Sequence, residues 1–170
     1  MRNHPAVAFR IAKQEDIPLI QDLASRIWKE HYPGIITQEQ IDYMLGKMYS
    51  PEVIRDEIEQ QEYRYILVVS ENKAVGFMAY VHEQAREAVR ISKLYLLPAL
   101  HGQGIGRQML AYVKEDAHRS GAKLLYLFVN KQNDKAIRAY ERFGMNKTAE
   151  IVTDIGAGFV MDDFRMELRL

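Results

Sequence analysis

The chain of 170 residues has no cysteine, which excludes a disulfide framework, a thiolate nucleophile and a Cys-type zinc site. It also has no net charge, because 23 Lys plus Arg balance 23 Asp plus Glu. That argues against a protein that wraps duplex nucleic acid by bulk attraction and leaves only a local basic patch. Long apolar runs are missing as well. The longest, residues 65–69 and 124–129, are strand-sized and far below the roughly 20 residues that cross a bilayer. The opening MRNHPAVAFR has an early Arg but no apolar core of leader-peptide length. These absences give the expectation of a soluble, cytoplasmic protein with no membrane partner, no nucleic-acid partner and no metal site.

The remainder is ordinary: 48% apolar and 27% charged residues, enough for one domain spanning 1–170. A chain of this size buries about 70% of its unfolded surface, so a self-sufficient core needs no cross-links.

The pattern predicts a strand over 7–12 and then a helix over 15–29, with Ile17, Ile20, Leu23, Ala24 and Ile27 at helical spacing. Pro18 fits its first turn, and Pro33-Gly34 ends the segment. A second helix over 38–49 shows Ile41, Met44, Leu45 and Met48 on one face. Ser50 and Pro51 supply the N-cap and first position of a third, short helix. The texture then becomes β-rich at 63–70, 74–81 and 89–97, the first two separated by a hairpin-length Glu71-Asn72-Lys73. A helix follows the glycine cluster, with Ile105, Met109, Leu110, Val113 and Ala117 inward. The near-continuous apolar run 123–129 reads as a strand buried on both faces. A helix over 134–143 stops at Gly144, and strands over 147–154 and 158–168 complete a mixed α/β domain in the order βαα(α)βββαβαββ.

The segment LYLLPALHGQGIGRQML, residues 94–110, carries the most chemistry. A strand runs into Pro98, and His101, Gly102, Gln103, Gly104, Ile105, Gly106 and Arg107 open a helix. Glycines allow a tight turn and close approach by a ligand. The helix start adds unpaired N–H groups that suit a phosphate or pyrophosphate, and Arg107 brings a cation to the same place. No Lys follows Gly106, so this is not a P-loop, and the Gly102, Gly104, Gly106 spacing departs from the dinucleotide fingerprint Gly-x-Gly-x-x-Gly.

The spacing resembles the pyrophosphate loop of the GNAT N-acetyltransferase superfamily, Gln/Arg-x-x-Gly-x-Gly/Ala, here His101, Gly104 and Gly106, with His at the first position as a departure. Downstream, Asn133, Ala136, Tyr140 and Gly144 match the superfamily's Asn-x-x-Ala-x-x-x-Tyr-x-x-x-Gly, with Met145 in place of the usual Phe. The resemblance covers residues 63–168. It implies a central mixed sheet of about seven strands with flanking helices, in which two splayed parallel strands, here 89–97 and 123–129, form a gap for acetyl-CoA.

By the same resemblance, the backbone of Leu94, Tyr95 and Leu96 lies along the pantetheine arm. Residues His101 and Gly102 to Arg107 hold the pyrophosphate, Asn133 hydrogen-bonds the pantetheine, and Tyr140 protonates the departing thiolate. Without the resemblance, Asn133 reads as a helix cap and Tyr140 as a packed aromatic. The implied function is acetyl transfer from acetyl-CoA to a small amine, a polyamine or a peptide amine; the alternative is an acetyl-CoA-binding or interaction module without turnover. Homodimers are common in the superfamily.

A primary amine has a pKa near 10.4, so deprotonating it at pH 7.4 costs about 4 kcal/mol, and a base or water has to help. The superfamily's usual Glu positions fall on Ser92 and Phe128. The remaining candidates are Glu30, His31, His82 and Glu83, each also readable as an ordinary helix-end or strand-end group. Trp28, His31, Tyr32 and Tyr43 form an aromatic set that suits an ammonium or a plain core. The tail over 151–168 is similar to that of bacterial spermidine/spermine acetyltransferases. There Asp154, Asp162 and Asp163 read either as attractors of a polyamine or as turn and edge charges.

Overall fold

The structure, a computed structural model, describes residues 5–60 and 62–170. Residues 1–4, the start of the segment that shows no leader pattern, lie outside the described residues. Strand β1 (Ala8–Ile11) leads through a short 3-10 turn into α1 (Ile17–His31), followed by α2 (Gln38–Met48) and α3 (Pro51–Glu59). The Thr37 hydroxyl accepts from the Gln40 N–H at 3.2 Å and the Ser50 hydroxyl from the Val53 N–H at 3.2 Å. Both helices thus begin with a side-chain cap, and Pro51 stands just inside the second.

Strands β2 (Arg64–Ser70) and β3 (Lys73–Glu83) meet in a two-residue turn at Glu71 and Asn72, whose φ values of 49° and 61° are both left-handed. Such a turn matches the twist of a hairpin. It is one residue shorter than the sequence suggests, because Lys73 already pairs with Ser70. Then come β4 (Ala88–Leu96), α4 (Ile105–Arg119), β5 (Leu124–Asn130), α5 (Asp134–Phe143), β6 (Asn146–Gly156) and β7 (Phe159–Arg169). The strands make one sheet in the order β1-β2-β3-β4-β5-β7-β6, antiparallel except for the central β4–β5 pair.

One core cluster, with Met78, Val89, Ile91, Met109, Val113 and Leu127, lies between the sheet and α4–α5. The other, with Ile20, Leu23, Ile27, Trp28, Ile41 and Phe77, lies between the sheet and α1–α3. The side chain of Lys93 on β4 enters this second layer, and the residue is 2% exposed. Its Nζ lies 2.9 Å from Glu57 on α3 and faces the rings of Tyr49, Tyr63 and Tyr65. The ion pair fixes α3 to the sheet, and burial pulls the lysine pKa down against the opposing pull of Glu57. Among the described residues, no helix is long and apolar enough to cross a membrane.

Strands β4 and β5 pair only from Ala88–Leu124 to Ile91–Leu127. The next residue, Ser92, is the extra one of a bulge: Tyr80 faces Ile91, and Ala79 already faces Lys93. A bulge bends and twists its strand. Beyond it β4 follows β3, while β5 stays with β7 through Asn130–Asp163. The run 123–129 is therefore not buried on both faces throughout, and Phe128 is 40% exposed where the strands part.

Gly76 holds β4 on its outward course. A Cβ built there would lie 2.4 Å from the Tyr95 carbonyl oxygen and 3.1 Å from the Leu96 Cα. Both obstacles are backbone, so Gly76→Ala must push β3 and β4 apart. Replacing a strand glycine usually stabilises through the unfolded state. Here a loss of about 1–3 kcal/mol is expected from overpacking, read as a lower urea midpoint with an unchanged slope.

Candidate active site

A cavity of about 880 Å³ runs through the gap where β4 and β5 diverge and opens to residues on both faces of the sheet. On one wall are Leu94, Tyr95 and Leu96, whose edge toward β5 has no strand partner there. An unpaired strand edge is a template for an extended, hydrogen-bonding ligand.

At the mouth, the turn after β4 leads into α4. Gly102 (φ 79°) and Gly104 (φ 82°) are left-handed, conformations that glycine adopts without Cβ strain. Gly104 is the N-cap of α4 and offers no capping side chain. The first helical bond runs from the Gln108 N–H to the Gly104 carbonyl at 3.2 Å. The N–H groups of Ile105, Gly106 and Arg107 are thus left without an intrahelical acceptor. A Cβ at Gly106 would meet nothing within 4 Å. This is open space in front of a helix N-terminus with an exposed Arg107 beside it, a fit for a pyrophosphate.

His101, Gly102, Gly104, Gly106 and Arg107 all line the cavity, whereas Gln103 and Ile105 do not. Ile105 points its side chain into the core with no exposure, and the Gln103 amide donates to the Ala99 carbonyl at 3.3 Å. Only their backbones remain available to a ligand.

His101 fastens the turn to the strand. Its Nε2 lies 2.9 Å from the Leu96 carbonyl, so this nitrogen carries the proton. Across the cavity, His31 Nε2 lies 3.3 Å from Asn133 Oδ1, which also accepts from the Ala136 N–H at 3.4 Å. That shared acceptor assigns the Nε2–H tautomer to His31 as well. Burial lowers both histidine pKa values and keeps the rings neutral at pH 7.

Asn133 therefore caps α5, holds His31 and lines the cavity together. Tyr140, two turns into the same helix, packs on the core and reaches the cavity. Its hydroxyl has no hydrogen-bond partner among the described residues, and burial pushes its pKa up to about 12.

The face under α1 and α2 is aromatic. Trp28 stacks on Tyr32 at 4.4 Å and approaches Tyr95 at 5.8 Å. Tyr43, grouped with these by sequence, sits elsewhere: its ring meets Phe159 and its hydroxyl donates to the Ile155 carbonyl at 2.6 Å. Of the base candidates, His31 alone lines the cavity. His82 is held by Asp116 at 3.0 Å. Glu83 accepts from Arg90 and from the Tyr126 hydroxyl.

Among the tail acids, Asp154 accepts from the Gly156 N–H in a turn, and Asp162 pairs with Lys131 at 2.7 Å. Asp163 is different. It is 6% exposed, lines the cavity, and its Oδ1 is buried with no hydrogen-bond partner. Burial first, and then the neighbouring Asp162 charge, push its pKa up to about 6, against a smaller opposite pull from Lys131. The sequence offers Asp162 and Asp163 as equals; strand alternation, which sends adjacent side chains to opposite faces, is the signal that separates them.

The sequence profile of the acetyltransferase (GNAT) family matches residues 21–145. The spermidine N(1)-acetyltransferase of Thermoplasma acidophilum is 22% identical over 161 residues, 92% of this chain and 96% of that protein. The aminoalkylphosphonate N-acetyltransferase of Salmonella typhimurium is 30% identical over 115 residues, 57% of this chain and 74% of its own length. Among solved structures, the PaiA N-acetyltransferase of Thermoplasma acidophilum in complex with coenzyme A superposes with a TM-score of 0.84 at 22% identity, covering 97% of this chain and 99% of that one.

The unpartnered carboxylate makes a stability prediction. Because the folded pKa of Asp163 lies above its ordinary value of 3.8, the ionised form is penalised in the fold. The penalty is absent below about pH 4, grows as pH rises through the folded pKa, and is complete above it. Asp163→Asn should therefore unfold at higher denaturant than wild type at pH 8, by about 3 kcal/mol at roughly 1.4 kcal/mol per pH unit. The difference should vanish at pH 4, as measured by parallel urea titrations.

Proposed function

The chain belongs to the acetyltransferase (GNAT) family, and we propose that it transfers the acetyl group of acetyl-CoA to a primary amine that enters from the α1–α2 face. It is an acetyl-CoA-dependent N-acetyltransferase by family; the acceptor class and the residue roles are the proposal. The observation that carries it is the Tyr140 hydroxyl, unpartnered inside the gap between β4 and β5.

Acetyl-CoA brings an activated thioester. The chain's own residues do the rest. The α4 N-terminus and Arg107 bind the pyrophosphate, with Gly106 leaving room for it. The free edge of Leu94, Tyr95 and Leu96 aligns the pantetheine as an added strand. His101 acts on the turn through the Leu96 carbonyl. Asn133 sets the start of α5 and hence the place of Tyr140. A pKa of about 12 keeps that phenol protonated at neutral pH, so it has a proton to give to the leaving sulfur. Holding amine and thioester in one gap adds the proximity advantage. The spermidine substrate in the name of the Thermoplasma relative supports an amine as acceptor.

Acetyl-CoA should raise the melting temperature by mass action, and NAD or ATP should do so much less. Gly104→Val strains a left-handed residue and should lower both stability and the acetyl-CoA shift. Gly106→Val fills empty space and should lower the shift with little change in the ligand-free melting temperature. Equal shifts from all three ligands would reject the pocket.

Thiol release with a mixed amine panel separates an enzyme from a binding module. Tyr140→Phe should keep acetyl-CoA affinity and lose about 10²- to 10⁴-fold in kcat, the range for a lost general acid. An unchanged rate and unchanged pH profile would remove Tyr140 from the mechanism.

A further inference from the structure

Building on that acetyl-transfer reading, we infer that Asp163 is the catalytic carboxylate that receives the acceptor's ammonium group and takes one of its protons, and that the acceptor carries this single ammonium on an apolar body. Asp163 sits on β7 opposite Asn130 of β5, beside the part of β5 that has left β4. Its Oδ1 is buried and unpartnered, and an uncompensated buried charge is costly.

The nearby cations are committed elsewhere. Lys131, from the turn after β5, holds Asp162 at 2.7 Å and Glu150 at 3.0 Å. Arg165, two residues along the strand, holds Glu167 and stacks on Tyr126. From α1 the carboxylate is faced by Tyr32. The fold thus provides an anion without a protein counter-ion, at the wall of a cavity that the acceptor must enter.

The rest of that wall selects the acceptor. Trp28, Tyr32, Tyr95, Met44 and Met161 line it, and aromatic faces stabilise a cation while packing an apolar body. Among the described lining residues Asp163 is the single Asp or Glu. A polyamine would bring further ammonium groups into a cavity whose described lining holds no second carboxylate to receive them.

The chemistry balances. One ammonium proton first goes to Asp163 and on to water, which frees the lone pair with which the nitrogen bonds to the acetyl carbon as the carbon–sulfur bond breaks. One ends on the coenzyme A sulfur, with Tyr140 supplying the proton at sulfur and being reprotonated. The third stays on the amide. The transfer to Asp163 precedes attack, because an ammonium nitrogen has no lone pair, and bond formation then acidifies the second proton that has to leave. A carboxyl with a pKa of about 6 is ionised and ready at pH 7.

The test uses the full chain with 2-phenylethylamine, hexylamine and spermidine. Wild type should acetylate both monoamines with higher kcat/KM than spermidine, with an acid limb near pH 6. Asp163→Asn, which keeps the shape and removes the charge, should lose about 10²- to 10⁴-fold in kcat/KM, together with that limb. Calorimetry on the coenzyme A-loaded protein should show 2-phenylethylamine binding lost in Asp163→Asn, while the acetyl-CoA melting shift persists.

Wild-type kcat/KM and limb in Asp163→Asn would overturn the role, and loss of the limb in His31→Gln alone would transfer it to His31. Preference for spermidine would overturn the acceptor class. An acetyl-CoA shift with neither monoamine bound nor acetylated would overturn the inference and leave the donor site standing. Absence of any acetyl-CoA shift would overturn the reading beneath it.

Discussion

The candidate site in this fold depends on the parallel pair β4–β5 coming apart after Ile91 and Leu127. Backbone N–H and C=O groups inside a sheet require partners, so a sheet that opens at its centre has to secure both flanks by other means. The divergence is held from each side. The Ser92 bulge and the close passage of Gly76 against Tyr95 commit β4 to β3. Continuous pairing from Leu124 to Asn130 commits β5 to β7. The strand edge left over is one an extended pantetheine can satisfy, so the same defect in the ladder supplies the binding site that we propose.

The ends of the gap differ in charge. Its mouth has the start of α4 and Arg107, both favourable to phosphates. Its inner end has aromatic rings and one uncompensated carboxylate, favourable to an ammonium. Between them the neutral imidazoles of His31 and His101 tie α1, the turn after β4 and the cap of α5 to one another. Under the acceptor face, Lys93 and Glu57 form a buried pair that shows the contrast with Asp163. An ion pair in the core neutralises itself, whereas the acid at the cavity wall has a buried oxygen with no partner in the protein.

The order of elements was legible in the sequence because it rests on local signals, whereas the central gap followed only from the family resemblance. Helical spacing, the Ser50-Pro51 start and the Gly144 stop each act over a few residues. The glycine cluster was legible for the same reason, since left-handed backbone and an uncapped helix start are properties of the segment itself. Edges were less so. The hairpin closed one residue earlier than its composition suggested, and Gln103 and Ile105 turned their side chains away from the site that their neighbours build.

The sequence by itself determined a mixed α/β chain with a glycine-rich turn at an uncapped helix start and an Asn133–Tyr140 helix, because those features depend on contacts within a turn or two. Which acid lines the cavity, which histidine reaches the gap, and that Asn133 both caps α5 and touches His31 were decided only by tertiary structure. Asp162 and Asp163 are chemically identical neighbours in the chain. Their difference arises when β7 pairs with β5, one side chain meeting Lys131 at the surface and the other losing its water without gaining a partner, and desolvation of that kind belongs to the assembled sheet and not to any segment of it.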